Sequence, residues 1–213
     1  MTDVTKSVTS TEMNARLGVL ISGRGSNLQA IIDAIQAGCL DAEISIVISN
    51  YANAAGLERA RSAGILTKVL DHRDYKNKES YDHALTSELL KYDVGLVCLA
   101  GFMKIVGPKM LRAFPSAILN IHPSLLPSFP GLEPQRQACD YGVKLSGATV
   151  HIVTEALDAG PIVLQAVVPV LDDDTPETLA SRILVEEHRL YPEAIARVLD
   201  GRFRLEGRRY FRD

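Results

Sequence analysis

The sequence predicts an α/β fold, a single doubly wound and mostly parallel β-sheet with helices on both faces. Three observations lead there. Short apolar runs bounded by glycine alternate with segments whose apolar residues recur at helical spacing, as in LGVLIS (residues 17–22) followed by Leu28, Ile31, Ile32 and Ile35. This strand-then-helix order repeats along the chain, and parallel strands need such crossovers. One run, VGLVCLA (residues 94–100), is apolar on both faces, as a strand covered from two sides must be.

The elements follow in order. After the first strand and helix, EISIVIS (residues 43–49) precedes the helical AAGLERARSAG, which Gly64 closes. ILTKVL (residues 65–70) precedes the helical KESYDHALTSELLKY. VGLVCLA takes the centre of the sheet, and GPKMLRAF after it is a helix with Pro108 in its first turn. SAILNI is a strand that runs into Asn120 and His122. GATVHIV and PIVLQAVVPV are two strands joined by a turn around Asp158-Ala159-Gly160. Thr175-Pro176-Glu177 combines a hydroxyl cap, a first-position proline and a first-turn acid, so a helix starts there and runs to about Asp200. FRLEGRRYF closes the chain as a small hairpin turning at Glu206-Gly207. No repeat or linker divides the chain, so residues 16–213 are read as one domain, preceded by a flexible Ser/Thr-rich extension at residues 1–15.

Composition removes several classes of function. With 23 Lys+Arg against 26 Asp+Glu and a net charge of −3, the chain lacks the basic field that nucleic-acid binding needs. No segment has the ~20 apolar residues of a membrane span, and the first residues lack the apolar core of a secretory signal. Cys39, Cys98 and Cys139 form no C-x-x-C pair, which argues against a disulfide framework or a zinc site and for the cytoplasm. Cys98 reads as core packing. His72, His83, His122, His151 and His188 include no pair at helical ligand spacing, so no metal is expected.

Three places can carry chemistry. SGRGSN (residues 22–27) joins the first strand to the first helix, where free N–H groups and the helix dipole favour an anion. It lacks the Gly-Lys-Ser/Thr of a Walker loop and the third glycine and later acid of a dinucleotide fingerprint. A phosphomonoester held by the backbone of Gly25, Ser26 and Asn27 fits; a tight turn with no ligand would use the same glycines. In NIHP, alternation along the strand puts Asn120 and His122 on one side and Ile121 on the other, and Pro123, Pro127 and Pro130 stiffen the loop beyond. His151, without such company, reads as a satisfied structural residue. Asp158 is a turn former unless it reaches His122 across the sheet. No nucleophile elbow or catalytic cysteine signature is present, which leaves a site that polarises a carbonyl and moves a proton without a covalent intermediate.

LISGRGSNLQAII, LAGFMKIVGP, LNIHPSLLPSFPG, ATVHIVTEALDAGPIVLQ and EEHRLYP, in this order and spacing, resemble the folate-dependent formyltransferase family. The glycine loop and EEHRLYP narrow the resemblance, over about residues 17–201, to its glycinamide ribonucleotide branch, the phosphoribosylglycinamide formyltransferases of de novo purine synthesis. The resemblance implies a formyltransferase-like Rossmann variant that uses 10-formyltetrahydrofolate as co-substrate and no metal, and acts on glycinamide ribonucleotide as a monomer or weak homodimer. It implies that Gly25, Ser26 and Asn27 hold the substrate phosphate and Glu187 the ribose hydroxyls. Met103, Lys104, Ile105 and Val106 would line the folate pocket. Lys78 would sit near the glutamate tail, with Thr154, Glu155, Ala156 and Leu157 in the loop around the pterin. Asn120, His122 and Asp158 would be catalytic: amine attack on the formyl carbon puts charge on its oxygen, Asn120 and protonated His122 would donate to that oxygen, and Asp158 would place negative charge beside the imidazolium.

Two departures stand out. Glu133-Pro134-Gln135 replaces a His-Thr-His common among relatives, and Lys78 and Lys104 stand where arginine is frequent, keeping the charge without the bidentate fork. A methionyl-tRNA formyltransferase would carry a further basic domain, and a formyltetrahydrofolate hydrolase a regulatory domain in front. A non-catalytic binder of sugar phosphates would have no use for Asn120, His122 and Asp158 together.

Overall fold

Burial explains the first strands. In β1 (Arg16–Ile21) and β2 (Glu43–Ser49) every residue after the first is buried, so both faces are covered by other parts of the chain. The structure, a computed structural model, describes residues 14–212. Residues 1–13 of the expected extension lie outside that range. Asn14 lies within it and donates from Nδ2 to the main-chain oxygen and Oδ2 of Asp93, while the Ala15 carbonyl accepts from Glu43 N–H.

The sheet has seven strands in the order β3-β2-β1-β4-β5-β6-β7. β3 (Thr67–Val69), β4 (Leu96–Leu99) and β5 (Ile118–His122) join β1 and β2 in parallel, whereas β6 (Leu145–Ile152) and β7 (Ile162–Pro169) continue the sheet antiparallel. β4 is central, as its two-faced apolar run requires. Strand β3 is shorter than the apolar run that contains it, because only Thr67, Lys68 and Val69 pair with β2.

The helices are α1 (Ser26–Gln36), α2 (Ala55–Ser62), α3 (Lys78–Lys91), α4 (Pro108–Ala113), α5 (Pro134–Tyr141) and α6 (Pro176–Leu199). α1 packs on α2 and α6, and α3 on α4, as expected of right-handed crossovers that step outward from β1 in both directions. Helix α5 was not expected from the sequence. Pro134 and Ala138 are buried and Cys139 packs partly against the core, but the segment is mostly polar and follows a proline-rich loop, so no apolar run marks it. The final hairpin, β8 (Phe203–Glu206) with β9 (Arg209–Arg212), pairs Glu206 with Arg209, so it turns at Gly207-Arg208, one residue later than expected.

Local chemistry sets the helix ends nearest the crevice. Thr175 and Thr178 cap α6 reciprocally, each hydroxyl accepting from the other's N–H. Buried Tyr191 then brings its hydroxyl to 3.0 and 3.1 Å from the carbonyls of Leu99 and Leu119, fixing α6 against β4 and β5. On the other side, buried Asp82 of α3 accepts from the N–H groups of Gly107 and Lys109 at 3.1 and 2.9 Å, and so caps α4 from outside. Asp82→Ala should strand both donors, at about 1–3 kcal/mol. The melting temperature should then fall by a few degrees, on a scale of about 2–4 °C per kcal/mol for a chain this size; an unchanged thermal unfolding curve would deny Asp82 the capping role.

Strand order reverses between β1 and β4, because β2 and β3 step away on one side while β4 and β5 lie on the other. Loops leave the carboxyl ends of β1 and β4 there, the usual position of the ligand crevice in open α/β sheets, and Ser22 N–H joins them by donating to Gly101 O at 3.2 Å.

Candidate active site

The glycine loop forms one end of the crevice. Gly25 precedes α1 with φ +70° and no side chain caps the helix, while no acid occupies its first turn. The first N–H groups of α1 are therefore free for an anion. The loop is pressed against α2: Gly56 N–H donates to Gly23 O at 3.0 Å, and a Cβ on Gly25 would lie 2.5 Å from the Gly56 Cα. Ser22 links this loop to the next, accepting from Met103 N–H at 2.8 Å and donating to Asn50 Oδ1 at 2.6 Å.

Asn27 and Glu187 are both buried at this end, and Asn27 Nδ2 donates to Glu187 Oε2 at 2.7 Å. Asn27 Oδ1 is buried without a partner, as an acceptor reserved for a ligand would be. Burial pushes the Glu187 carboxyl above its ordinary value of 4.5, opposed by the Asn27 hydrogen bond and the Arg24 charge. Such an acid binds its proton more tightly when folded, so stability falls as pH rises from about 4.5 through the raised folded value. Glu187→Gln should remove that fall, and its melting temperature relative to the parent should climb across the window and then level off. A difference independent of pH would deny Glu187 that titration.

The residues expected to be catalytic lie where β5 meets β6. Asn120 and His122 project from the same face of β5, as alternation requires. His122 Nε2–H donates to the Phe129 carbonyl at 2.9 Å, so the proline-flanked loop clamps the ring. His122 Nδ1 lies 3.6 Å from Asp158 Oδ2, an ion-pair distance when the ring is protonated but longer than a hydrogen bond, which leaves this nitrogen able to exchange partners. Gly131 N–H donates to the same Asp158 oxygen at 2.8 Å and ties the two loops together. Asp158 has φ +48°, a left-handed conformation that Asp adopts more readily than most residues. Asp158 therefore reaches His122 across the sheet.

His151, read from sequence as structural, joins the same group. Its Nε2 is 3.1 Å from Asn120 Nδ2 and 3.7 Å from Asp158 Oδ1, and its Nδ1 is 3.1 Å from the Ile152 carbonyl. Asn120 and His151 are direct partners in the β5–β6 ladder, a register that no local pattern reveals.

The residues expected to meet folate lie on the loops after β4 and β6. Met103, Ile105 and Leu157 are 66%, 78% and 61% exposed, unusually open for large apolar side chains, and Val106 packs partly against the core. Thr154, Glu155 and Ala156 are exposed in the loop that carries Asp158. Lys104 Nζ donates to His72 Nε2 at 3.0 Å. Lys78 is the exposed first residue of α3, a cation at a helix N-terminus where the dipole opposes it and where an anionic ligand would relieve the conflict. Among the described residues, no group of three or more His, Cys, Asp or Glu is placed to hold a metal. A 720 Å³ groove between α1 and α6 meets the expected site residues only at Ser26, so Asn120, His122 and Asp158 lie outside it.

A mostly parallel α/β sheet, a phosphate-type loop at its switch point and an Asn-His-Asp group at its rim define a class: residues 15–195 match the formyl transferase family, and the chain belongs to it. It is 46% identical to the phosphoribosylglycinamide formyltransferase of Escherichia coli (strain K12), over 88% of each chain. It is 49% identical over 90% of its length to the trifunctional purine biosynthetic protein adenosine-3 of Bos taurus, but spans only 19% of that longer protein. The crystal structure of glycinamide ribonucleotide transformylase 1 from Symbiobacterium toebii matches with a TM-score of 0.93 at 52% identity, covering 99% of both chains.

Proposed function

We propose that this chain transfers the formyl group of 10-formyltetrahydrofolate to the amino group of glycinamide ribonucleotide, giving formylglycinamide ribonucleotide and tetrahydrofolate in de novo purine biosynthesis. The observation that carries this reading is the convergence of Asn120, His122 and Asp158, with His122 Nδ1 3.6 Å from the Asp158 carboxylate. A crevice whose far end offers free helix N–H groups and the Asn27–Glu187 pair supports it.

In this reading the N–H groups of Gly25, Ser26 and Asn27 take the phosphate, and Glu187 accepts from the ribose hydroxyls. Met103, Lys104, Ile105, Val106 and residues 154–157 receive the folate, with Lys78 toward its carboxylate tail. The amine attacks the formyl carbon, and the carbonyl oxygen takes up the negative charge. Donors from Asn120 and protonated His122 stabilise that oxygen, and Asp158 balances the ring's charge. As the carbon–N10 bond breaks, the attacking nitrogen gives up one proton and N10 takes one, through His122 or a water. No covalent enzyme intermediate is needed.

The same reading has the chain acting in the cytoplasm as a monomer or weak homodimer, without nucleic acid or membrane. Its three free cysteines suit a reducing compartment, and among the described residues no helix is long and apolar enough to cross a membrane. The test is to mix protein and formyl donor, with and without glycinamide ribonucleotide, and follow the folate product. Turnover that requires the ribonucleotide is expected. Donor cleavage independent of it would indicate a hydrolase, and no turnover would indicate a binder.

A further inference from the structure

The two ends of an asparagine amide have nearly the same shape, yet only the nitrogen end can donate to a developing oxyanion. Whatever holds Asn120 must therefore distinguish them. His151 has the chemistry to do so. The Ile152 carbonyl, 3.1 Å from His151 Nδ1, can only accept, so Nδ1 carries a hydrogen. A neutral ring carries no other, and Nε2 then presents a lone pair 3.1 Å from Asn120 Nδ2. The ring is only 2% exposed, and burial pushes its pKa below the usual histidine range. The charges of His122 and Arg208 act in the same direction, while the Ile152 hydrogen bond and Asp158 oppose them.

With a lone pair at Nε2, one amide orientation is attractive and the other sets two acceptors face to face. In the attractive one, Asn120 gives one hydrogen to His151 and keeps the second for a ligand. Asp158 is flanked by both rings, Oδ2 facing His122 at 3.6 Å and Oδ1 facing His151 at 3.7 Å, yet the rings differ. His122 keeps a nitrogen free to exchange partners, whereas His151 has one nitrogen on a backbone carbonyl and the other on Asn120.

We propose that His151 is a positioning residue for formyl transfer, a neutral Nδ1-protonated imidazole that accepts from Asn120 and keeps its amide nitrogen turned toward the reacting oxygen. The inference rests on the function proposed above for the identity of that oxygen, and on hydrogen-bond geometry and burial for the tautomer.

Nitrogen-15 NMR of the unliganded protein, with the ring signal assigned by its loss in His151→Gln, reads the tautomer directly. A protonated Nδ1 and bare Nε2 are expected; the opposite tautomer or a doubly protonated ring at neutral pH would overturn the proposal. In steady-state kinetics His151→Ala should lower kcat by up to about a hundredfold, the scale of a misplaced reacting group, with both KM values nearly unchanged. His151→Gln, whose side-chain oxygen can accept from Asn120, should recover most of that loss. Equal losses in the two folded variants, or a loss confined to KM, would also overturn it. If the parent shows the expected tautomer but transfers no formyl group, the functional reading fails and the positioning role fails with it, while the tautomer assignment stands.

Discussion

His122→Ala should lower kcat about a hundred- to a thousandfold, the usual effect of removing one oxyanion donor, equivalent to roughly 2.7–4 kcal/mol of barrier. Ribonucleotide affinity should be largely preserved, because the phosphate and ribose contacts are assigned to the loop before α1 and to Glu187, on other elements. The substitution removes the donor to Phe129 O and leaves Asp158 with its Gly131 hydrogen bond. Fold loss and catalytic loss must be separated, so kinetics should be paired with thermal unfolding and with calorimetric binding of ribose 5-phosphate. A folded variant as active as its parent would remove His122 from the mechanism.

The second large effect should come from Gly25→Ala. A left-handed conformation costs an L-residue about 1–2 kcal/mol, and Gly25 has φ +70°. The new Cβ would also lie 2.5 Å from the Gly56 Cα, a backbone atom that cannot rotate away. Either the loop or α2 must shift, and the free N–H groups of α1 shift with the loop. Gly38 supplies the control: it has the same φ of +70°, but an added Cβ there meets nothing within 4 Å. Gly38→Ala should therefore lower the melting temperature by about 2–8 °C, combining that strain with the scaling for chains of this length. Gly25→Ala should lower it further, and it alone should weaken ribose 5-phosphate binding, by about tenfold or more for the loss of well-aligned charge-assisted hydrogen bonds. Equal behaviour of the two variants would mean that the close approach to Gly56 has no part in anion binding.

Features written in consecutive residues were legible without coordinates. The buried strands β1, β2 and β4 announce themselves by apolar character on both faces. Helix α6 is announced by Thr175-Pro176-Glu177, and the projection of Asn120 and His122 on one side follows from strand geometry. Helix α5 was missed because its eight residues are mostly polar and follow a proline-rich loop, and the hairpin turn was misplaced by one residue because its register depends on pairing between two short strands. The distant cap of Asp82 on α4 and the bond between Lys104 and His72 join segments far apart in the chain, where sequence periodicity carries no information.

The same division runs through the active site. Local sequence determined that the chain would build a wound sheet, that a glycine turn would end its first strand, and that an amide and an imidazole would share one face of a later strand, because periodicity and capping act over a few residues. Only the tertiary structure decided that Asp158 folds back to His122 and that antiparallel pairing sets His151 opposite Asn120. Such meetings depend on sheet register and loop closure, which are settled by the packing of the whole core rather than by the residues that meet.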